Sequence, residues 1–186
     1  MRPFVFPLSQ HIGAPSVPVV QPGDRVQRGQ CIAEAGEGLG SPVYTSVSGT
    51  VLEVTDDAVI VRADDVQPKE YVPLTAQTPL DYIRQAGIVG LGGAGFPTHV
   101  KLAAKADYIL LNGAECEPLL RVDQQLMEFY PDDVIRGFEM AGRLVGADQA
   151  IIGIKGKHKD VIAILEERIQ ALGFSDYVKI GILPDM

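Results

Sequence analysis

The sequence predicts a mixed α/β chain: a small all-β barrel-sandwich module followed by an α/β domain with a βαβ unit. Three observations carry that prediction. From Val17 to Val61, short apolar runs alternate with Gly- and Pro-bearing turns, the rhythm of a small barrel or sandwich. Further on, the apolar period becomes 3.6 residues in two long stretches, 131–146 and 158–172. Short apolar runs, 150–155 and 178–183, flank the second of those stretches, as a βαβ unit requires. The boundary is expected between residues 74 and 75, giving modules 1–74 and 75–186.

In order, the expected strands of the first module are Val17–Val20, Arg25–Val26, Cys31–Ala35, Val43–Val47, Thr50–Val54 and Ala58–Val61. Gln21-Pro22-Gly23-Asp24, Arg28-Gly29-Gln30, Ser48-Gly49 and Asp56-Asp57 supply the turns. A linker with Pro68 and Pro73 runs through Asp64–Ala76. Thr78-Pro79-Leu80-Asp81 is a helix start: Thr78 suits the N-cap, Pro79 the first helical position, and Asp81 a capping box. Gly87 is the expected stop.

Tyr108–Leu111 reads as a strand ending at Asn112. Pro131-Asp132-Asp133 opens a helix with acids in its first turn, where the dipole favours them, and Gly146 closes it. Ala150–Lys155 is the next strand, His158–Leu172 a helix, and Val178–Leu183 a strand. The sequence stops just after that strand, at Leu183-Pro184-Asp185-Met186, and is expected to be part of a larger protein.

Composition narrows the function classes. Lys+Arg 16 against Asp+Glu 24 gives a net charge of −8. Sequence-independent nucleic-acid binding and anionic membrane surfaces both need a basic face, so neither is expected. No apolar run approaches the ~18 residues of a membrane helix, and residues 1–7 lack the apolar core of a secretory signal. Direct membrane insertion is therefore not expected. Cys31 and Cys116 are the two cysteines. They fit unpaired thiols in a reducing compartment, and two thiolates fall short of the usual four that hold an iron–sulfur cluster.

Val19, Pro22-Gly23-Asp24-Arg25-Val26, Arg28-Gly29-Gln30 and Ser48-Gly49-Thr50-Val51 together resemble the biotinyl/lipoyl carrier fold. A carrier needs a lysine on an exposed hairpin. The first lysine here is Lys69, and Gly36-Glu37-Gly38-Leu39-Gly40-Ser41-Pro42 fills the tip. The covalent-carrier function fails on chemistry, leaving a docking or packing module.

The most informative stretch is Gly90-Leu91-Gly92-Gly93-Ala94-Gly95-Phe96-Pro97-Thr98. Gly90, Gly92 and Gly95 match G-x-G-x-x-G, but only Ile88-Val89 precedes them where a dinucleotide fingerprint wants a full strand. Small residues let backbone amides approach a planar or phosphorylated ligand. A helix opening at Pro97 or Thr98 would add amides for an anion, and Lys101 could meet a phosphate. A structural glycine hinge is the alternative. A second cluster, Asn112-Gly113-Ala114-Glu115-Cys116-Glu117-Pro118, follows a strand end, where α/β proteins place ligands. Its carboxylates would repel phosphate, yet could accept hydrogen bonds from sugar hydroxyls or a ring N–H. A solvated acidic turn capped by Asn112 is the alternative.

Other candidates are weaker. His99 has no visible triad partner and reads as a helix-surface histidine. His11 and His158 lack metal-ligand spacing, so no metal site is expected. Two flanking glutamates would raise the Cys116 pKa rather than activate it. Gly153-Ile154-Lys155-Gly156-Lys157-His158-Lys159 lacks P-loop spacing.

Taken together, the glycine stretch with Lys101 and the Asn112–Pro118 cluster resemble the flavin subunit of respiratory complex I. The opening Pro7-Leu8-Ser9-Gln10-His11-Ile12-Gly13-Ala14-Pro15 and the β-module are similar to the C subunit family of the Rnf electron-transport complex, with relatives such as cobalamin reductase and proline-reductase electron-transfer proteins. The resemblance implies that the second module is a flavin-binding α/β domain with FMN as cofactor and NAD(H) as substrate. Gly90, Gly92, Gly93 and Ala94 would line the flavin, and Lys101 would approach its phosphate or ribityl chain. Asn112, Glu115 and Cys116 would contact the flavin; Phe96 and Glu117 would face the nicotinamide nucleotide. Where complex I carries an acid, this chain has Ala114. No catalytic side chain is implied.

It also implies an NADH:acceptor oxidoreductase in which 4Fe-4S clusters belong to the full-length protein and not to this chain. The partners would be other subunits of a membrane complex, with a peripheral location on its cytoplasmic face. Two readings stay open beside it: a non-catalytic docking or assembly module with a structural glycine loop, or a soluble flavoprotein akin to cobalamin reductase.

Overall fold

The structure, a computed structural model, describes residues 3–115 and 119–184. Two compact units divide the chain, Met1–Lys101 and Leu102–Met186. Compactness thus groups the first helix and the glycine loop with the β-strands, although the sequence pattern changes earlier, near residue 75.

In the first unit the strands are β1 (Pro3–Pro7), β2 (Val17–Pro18), β3 (Arg25–Val26), β4 (Cys31–Glu34), β5 (Val43–Tyr44), β6 (Gly49–Val54) and β7 (Ala58–Ala63). They form two antiparallel sheets, β1-β7-β6-β3 and β2-β4-β5, with no closed barrel among the described residues. Alternating side chains of both sheets fill one core: Val26, Ile32, Ala33, Val43, Val51, Val59 and Val61 are buried, joined by Leu8, Val20 and Val47. A bulge in β6 opposes Val51 to Val61 and Glu53 to Ile60, which turns Leu52 out to solvent. The expected strand Val43–Val47 ends early. Thr45 Oγ1 donates to Val47 O (2.7 Å) and accepts from Val47 N, closing a local turn that competes with the ladder.

The linker has no regular structure, yet it is tied down. Gln67 Nε2 donates to Ser48 O and its Oε1 accepts from Ser48 N, at 2.9 and 2.8 Å. Helix α1 (Pro79–Gln85) starts as the sequence predicts: Thr78 Oγ1 accepts from Asp81 N (3.2 Å). The capping box expected of Asp81 does not form on the Thr78 backbone N–H: Asp81 Oδ2 instead accepts a hydrogen bond from the Thr78 hydroxyl (2.8 Å). Gly87, at φ +65°, stops it. Helix α2 (Thr98–Leu102) is one short turn.

The second unit is a parallel sheet in the order β10-β9-β8, made of β8 (Tyr108–Asn112), β9 (Gln149–Lys155) and β10 (Val178–Leu183). Helices α3 (Val122–Phe129) and α4 (Pro131–Val145) connect β8 to β9, and α5 (Lys159–Ala171) connects β9 to β10. The β9-α5-β10 unit is the βαβ the sequence predicts. Ala150, Ile152 and Ile154 alternate into the core, where Ile135 and Phe138 from α4 and Val161, Leu165 and Ile169 from α5 meet them. Gly146 (φ +73°) terminates α4.

Candidate functional site

The glycine loop is a closed excursion of the first unit. Val89 and Pro97 form an isolated antiparallel bridge at its neck. Two hydrogen bonds seal that neck: Gly90 N to Phe96 O (3.0 Å) and Thr98 N to Ile88 O (2.9 Å). Between them, Gly90, Leu91, Gly92, Gly93 and Ala94 are exposed, while Gly95 is buried.

The glycines divide by physical need. Gly95 has φ +65°, and a Cβ there would come 3.0 Å from Gln10 O and 3.1 Å from His11 Cα. Gly93 also has φ +65°, so its backbone demands glycine, though a Cβ would meet nothing within 4 Å. Gly92 has neither constraint: its φ is not positive and a Cβ would meet nothing within 4 Å. Nothing in the protein itself calls for glycine at 92. The backbone of these two adjacent glycines is therefore open to approach from outside the loop.

Lys101, on α2, holds its Nζ 5.9 Å from the centroid of the Phe96 ring. Phe96 is half-exposed beside the neck. The helix expected near Pro97 or Thr98 does form, but the Thr98 amide is already spent on Ile88 O. At the loop exit, the group suited to an anion is therefore the Lys101 ammonium rather than that amide. His99, expected on a solvated surface, is partly enclosed, and its Nδ1 is buried without a hydrogen-bond partner among the described residues. Burial, with Arg84 nearby, holds its pKa below the usual histidine value.

In the second unit, Asn112 ends β8 at the carboxyl edge of the parallel sheet, opposite Gly153 of β9. Asn112 Oδ1 accepts from Ala114 N (3.1 Å), an Asx turn that ends the strand. Gly113 N donates to Gly153 O (2.8 Å), and a Cβ at 113 would press on Met127 Cε at 3.0 Å. Glu115 follows, half-buried. The capping and ligand readings of Asn112 are compatible, because the amide nitrogen brings two further donors. Cys116 and Glu117 lie outside the described residues, so their expected contacts rest on sequence.

Of the expected site residues, Gly90, Gly92, Gly93, Ala94, Phe96 and Lys101 therefore share one loop and its exit in the first unit. Asn112 and Glu115 share one strand end in the second. No group of His, Cys, Asp and Glu that could hold a metal exists among the described residues. Burial pushes the Cys31 thiol pKa up, and its Sγ donates to Ala33 O, an inert setting. The tip at 36–41 is bound down rather than free to swing: Ala14 N donates to Leu39 O (3.1 Å) and Ser16 Oγ to Ser41 O (2.7 Å). Sequence reasoning weighed His11 only as a metal ligand, although it stands inside the opening motif and its Nε2 accepts from Ser41 N at 3.0 Å.

The chain has recognisable relatives. The family model described as the Nuo51 FMN-binding domain matches residues 83–185. The one described as the RnfC barrel sandwich hybrid domain matches residues 2–69. The chain is 35% identical to the C subunit of the proton-translocating ferredoxin:NAD(+) oxidoreductase complex of Clostridium ljungdahlii, covering 88% of this chain and 40% of that one. It is 39% identical to the Na(+)-translocating counterpart of Acetobacterium woodii, covering 89% and 42%. To the C subunit of the ion-translocating oxidoreductase complex of Vibrio cholerae it is 32% identical, covering 89% and 24%. The chain thus spans less than half the length of these relatives.

Proposed function

The chain belongs to the Nuo51 FMN-binding domain family, and from that premise we propose that it binds FMN on the glycine loop, as part of an electron-transfer oxidoreductase subunit. The single observation that supports the loop assignment is that residues 83–185, the loop among them, match the Nuo51 FMN-binding domain, while the backbone at Gly92 and Gly93 is exposed and open. An open backbone surface of that kind suits a planar ring system, and Lys101 at the loop exit suits a phosphate. FMN fits this donor set: flat, anionic at one end and rich in hydroxyls between.

In this proposal the backbone of Gly90, Gly92, Gly93 and Ala94 lines the ring. Lys101 neutralises the phosphate, and Phe96 presents its exposed face to a nicotinamide nucleotide. Asn112 and Glu115 accept hydrogen bonds from ribityl hydroxyls or a ring N–H. When bound, the flavin supplies hydride and single-electron chemistry; the protein supplies orientation, electrostatics and exclusion of water. No side chain is assigned a catalytic role. The relatives are named as subunits of ferredoxin:NAD(+) oxidoreductase complexes. By that likeness NAD(H) is the proposed substrate, partner subunits of a membrane complex the proposed neighbours, and clusters elsewhere in a longer protein the onward acceptors. By the same likeness the proposed attachment is peripheral, through those partners, on the cytoplasmic face; no helix among the described residues is long and apolar enough to cross a membrane.

The test is titration of the 186-residue chain with FMN, followed by flavin fluorescence and by thermal shift. Saturable binding that riboflavin does not reproduce supports the phosphate-and-ring site. Absence of FMN binding, both here and in a protein extended beyond residue 186, overturns it in favour of the docking module.

A further inference from the structure

We propose that His11 is a positioning residue for the glycine loop: its neutral imidazole fixes the segment on which the loop rests. This deepens the FMN reading and depends on it for its functional meaning. The opening motif Pro7–Pro15 has no part in the flavin contacts, yet its middle lies directly beneath the loop.

His11 is 9% exposed. Its Nε2 lies 3.0 Å from Ser41 N and 3.2 Å from Ser41 O, and its Nδ1 lies 3.1 Å from Ile12 O. The protonation pattern follows from the partners. An amide N–H can only donate, so Nε2 accepts from Ser41 N–H. The ring hydrogen then sits on Nδ1 and donates to Ile12 O. Ser41 O takes its own hydrogen bond from Ser16 Oγ at 2.7 Å. Residues 10–16 therefore grip Ser41 at both backbone groups, and Ser41 is 1% exposed.

The same segment meets the loop through its backbone. Gly95 packs on Gln10 and His11, where a Cβ would stand 3.0 Å from Gln10 O and 3.1 Å from His11 Cα, tighter than ordinary contact. On the far side, a Cβ at Gly87 would come 2.7 Å from Pro42 O, so the chain leading into the loop rests on the residue after Ser41. Between the two contacts lies a cavity of about 360 Å³ bordered by Gln10, His11, Ser41, Pro42, Gly87 and Val89. Two side chains, His11 at the Ser41 amide and Ser16 at its carbonyl, thus join the segment under Gly95 to the residue before Pro42, and His11 is the one that itself lies against Gly95. Remove its acceptor and the Ser41 amide is left buried without a partner, which loosens both supports.

Two substitutions separate this role from mere bulk. Glutamine places an amide oxygen where Nε2 stands and can accept from Ser41 N–H; asparagine reaches only as far as Nδ1. In the 186-residue chain, His11→Gln is expected to keep FMN affinity within about threefold, and His11→Asn to lose about tenfold or more. Hydrogen exchange without flavin gives a second readout. The Gly90 and Thr98 amides should exchange faster in His11→Asn and not in His11→Gln, with α4 and α5 unchanged. An asparagine variant that matches the original chain in both readouts overturns the proposal. If that variant does not fold, His11→Gln decides: a loss of about tenfold or more in FMN affinity there, with the oxygen acceptor supplied, overturns the proposal equally. If the unsubstituted chain binds no FMN, the flavin reading falls and the exchange comparison alone decides the role of His11.

Discussion

Gly142 lies directly against the hydroxyl of Tyr177: a Cβ added at 142 would collide with that oxygen. The phenol is 6% exposed, its oxygen has no hydrogen-bond partner among the described residues, and the Arg143 guanidinium stacks on the ring, 3.7 Å from its centroid. Helix α4 sits this close to the start of β10 only because residue 142 has no side chain. Ala would ordinarily gain about 0.5–1 kcal/mol over Gly inside a helix. Overpacking costs typically about 1–3 kcal/mol, so Gly142→Ala should destabilise the fold in urea melts. Tyr177→Phe removes a buried unpaired hydroxyl and should be neutral or stabilising. The double variant should recover part of the loss; strict additivity would refute the contact.

Gly92 and Gly93 give a sharper test of the open loop backbone than either alone. Gly92→Val should fold with unchanged stability, because its Cβ meets open space, yet abolish FMN binding by occupying the ligand volume. Gly93→Val should lose binding too, with an added stability cost of about 1–2 kcal/mol from forcing a side chain into the left-handed region. Paired thermal melts and flavin titrations check both. If Gly92→Val binds FMN normally, the loop is a structural hinge.

Lys101 separates phosphate recognition from ring recognition. A charged hydrogen bond is worth about 1.5–3 kcal/mol, so Lys101→Met should weaken FMN by roughly 10- to 100-fold. Riboflavin, lacking the phosphate, should bind both proteins equally weakly, at about the affinity FMN retains for Lys101→Met. Equal loss for the two ligands would place Lys101 elsewhere in the chemistry, as a support for Phe96.

The pair Asp132–Arg168 joins the first turn of α4 to the last turn of α5, with Nε–Oδ1 at 2.7 Å and a second bond of 2.8 Å. Hydrogen bonding to Arg168 holds the Asp132 carboxyl below the usual carboxylate range. A carboxylate whose pKa is lower folded than unfolded stabilises above its unfolded value, about 4, and that contribution is lost as pH falls through the folded value. The thermal-stability gap between the unsubstituted chain and Arg168→Gln should therefore be open at about pH 7 and closed near pH 2. Both side chains are partly solvated, so high salt should narrow it as well. A gap that widens in acid would contradict the pairing.

Local chemistry made much of the fold legible. The Thr78-Pro79-…-Asp81 cap, the stops at Gly87 and Gly146 and the strand Val178–Leu183 all stand where their residues predict. Two elements escaped. Strand β1 carries proline at both ends and reads as a break, yet it pairs with β7 as an edge strand, where a missing N–H costs little. Helix α3 has Val122, Leu126 and Phe129 exposed, with Gln124 and Met127 turned inward, so its apolar pattern points away from its core face.

By itself, the sequence determined the fold class, most of the elements and the residues put forward for the candidate loop and strand end. Each depends on short-range period, capping and glycine chemistry that a one-dimensional pattern records. Only the tertiary structure decided why each loop glycine is there. Gly93 answers to its own dihedral, Gly95 to the same dihedral and to the backbone of Gln10 and His11 far earlier in the chain, and Gly92 to no protein atom at all. The role of His11 was hidden for the same reason. Its partner Ser41 is 30 residues away, and a hydrogen bond across that separation exists only once both sheets have closed on their shared core.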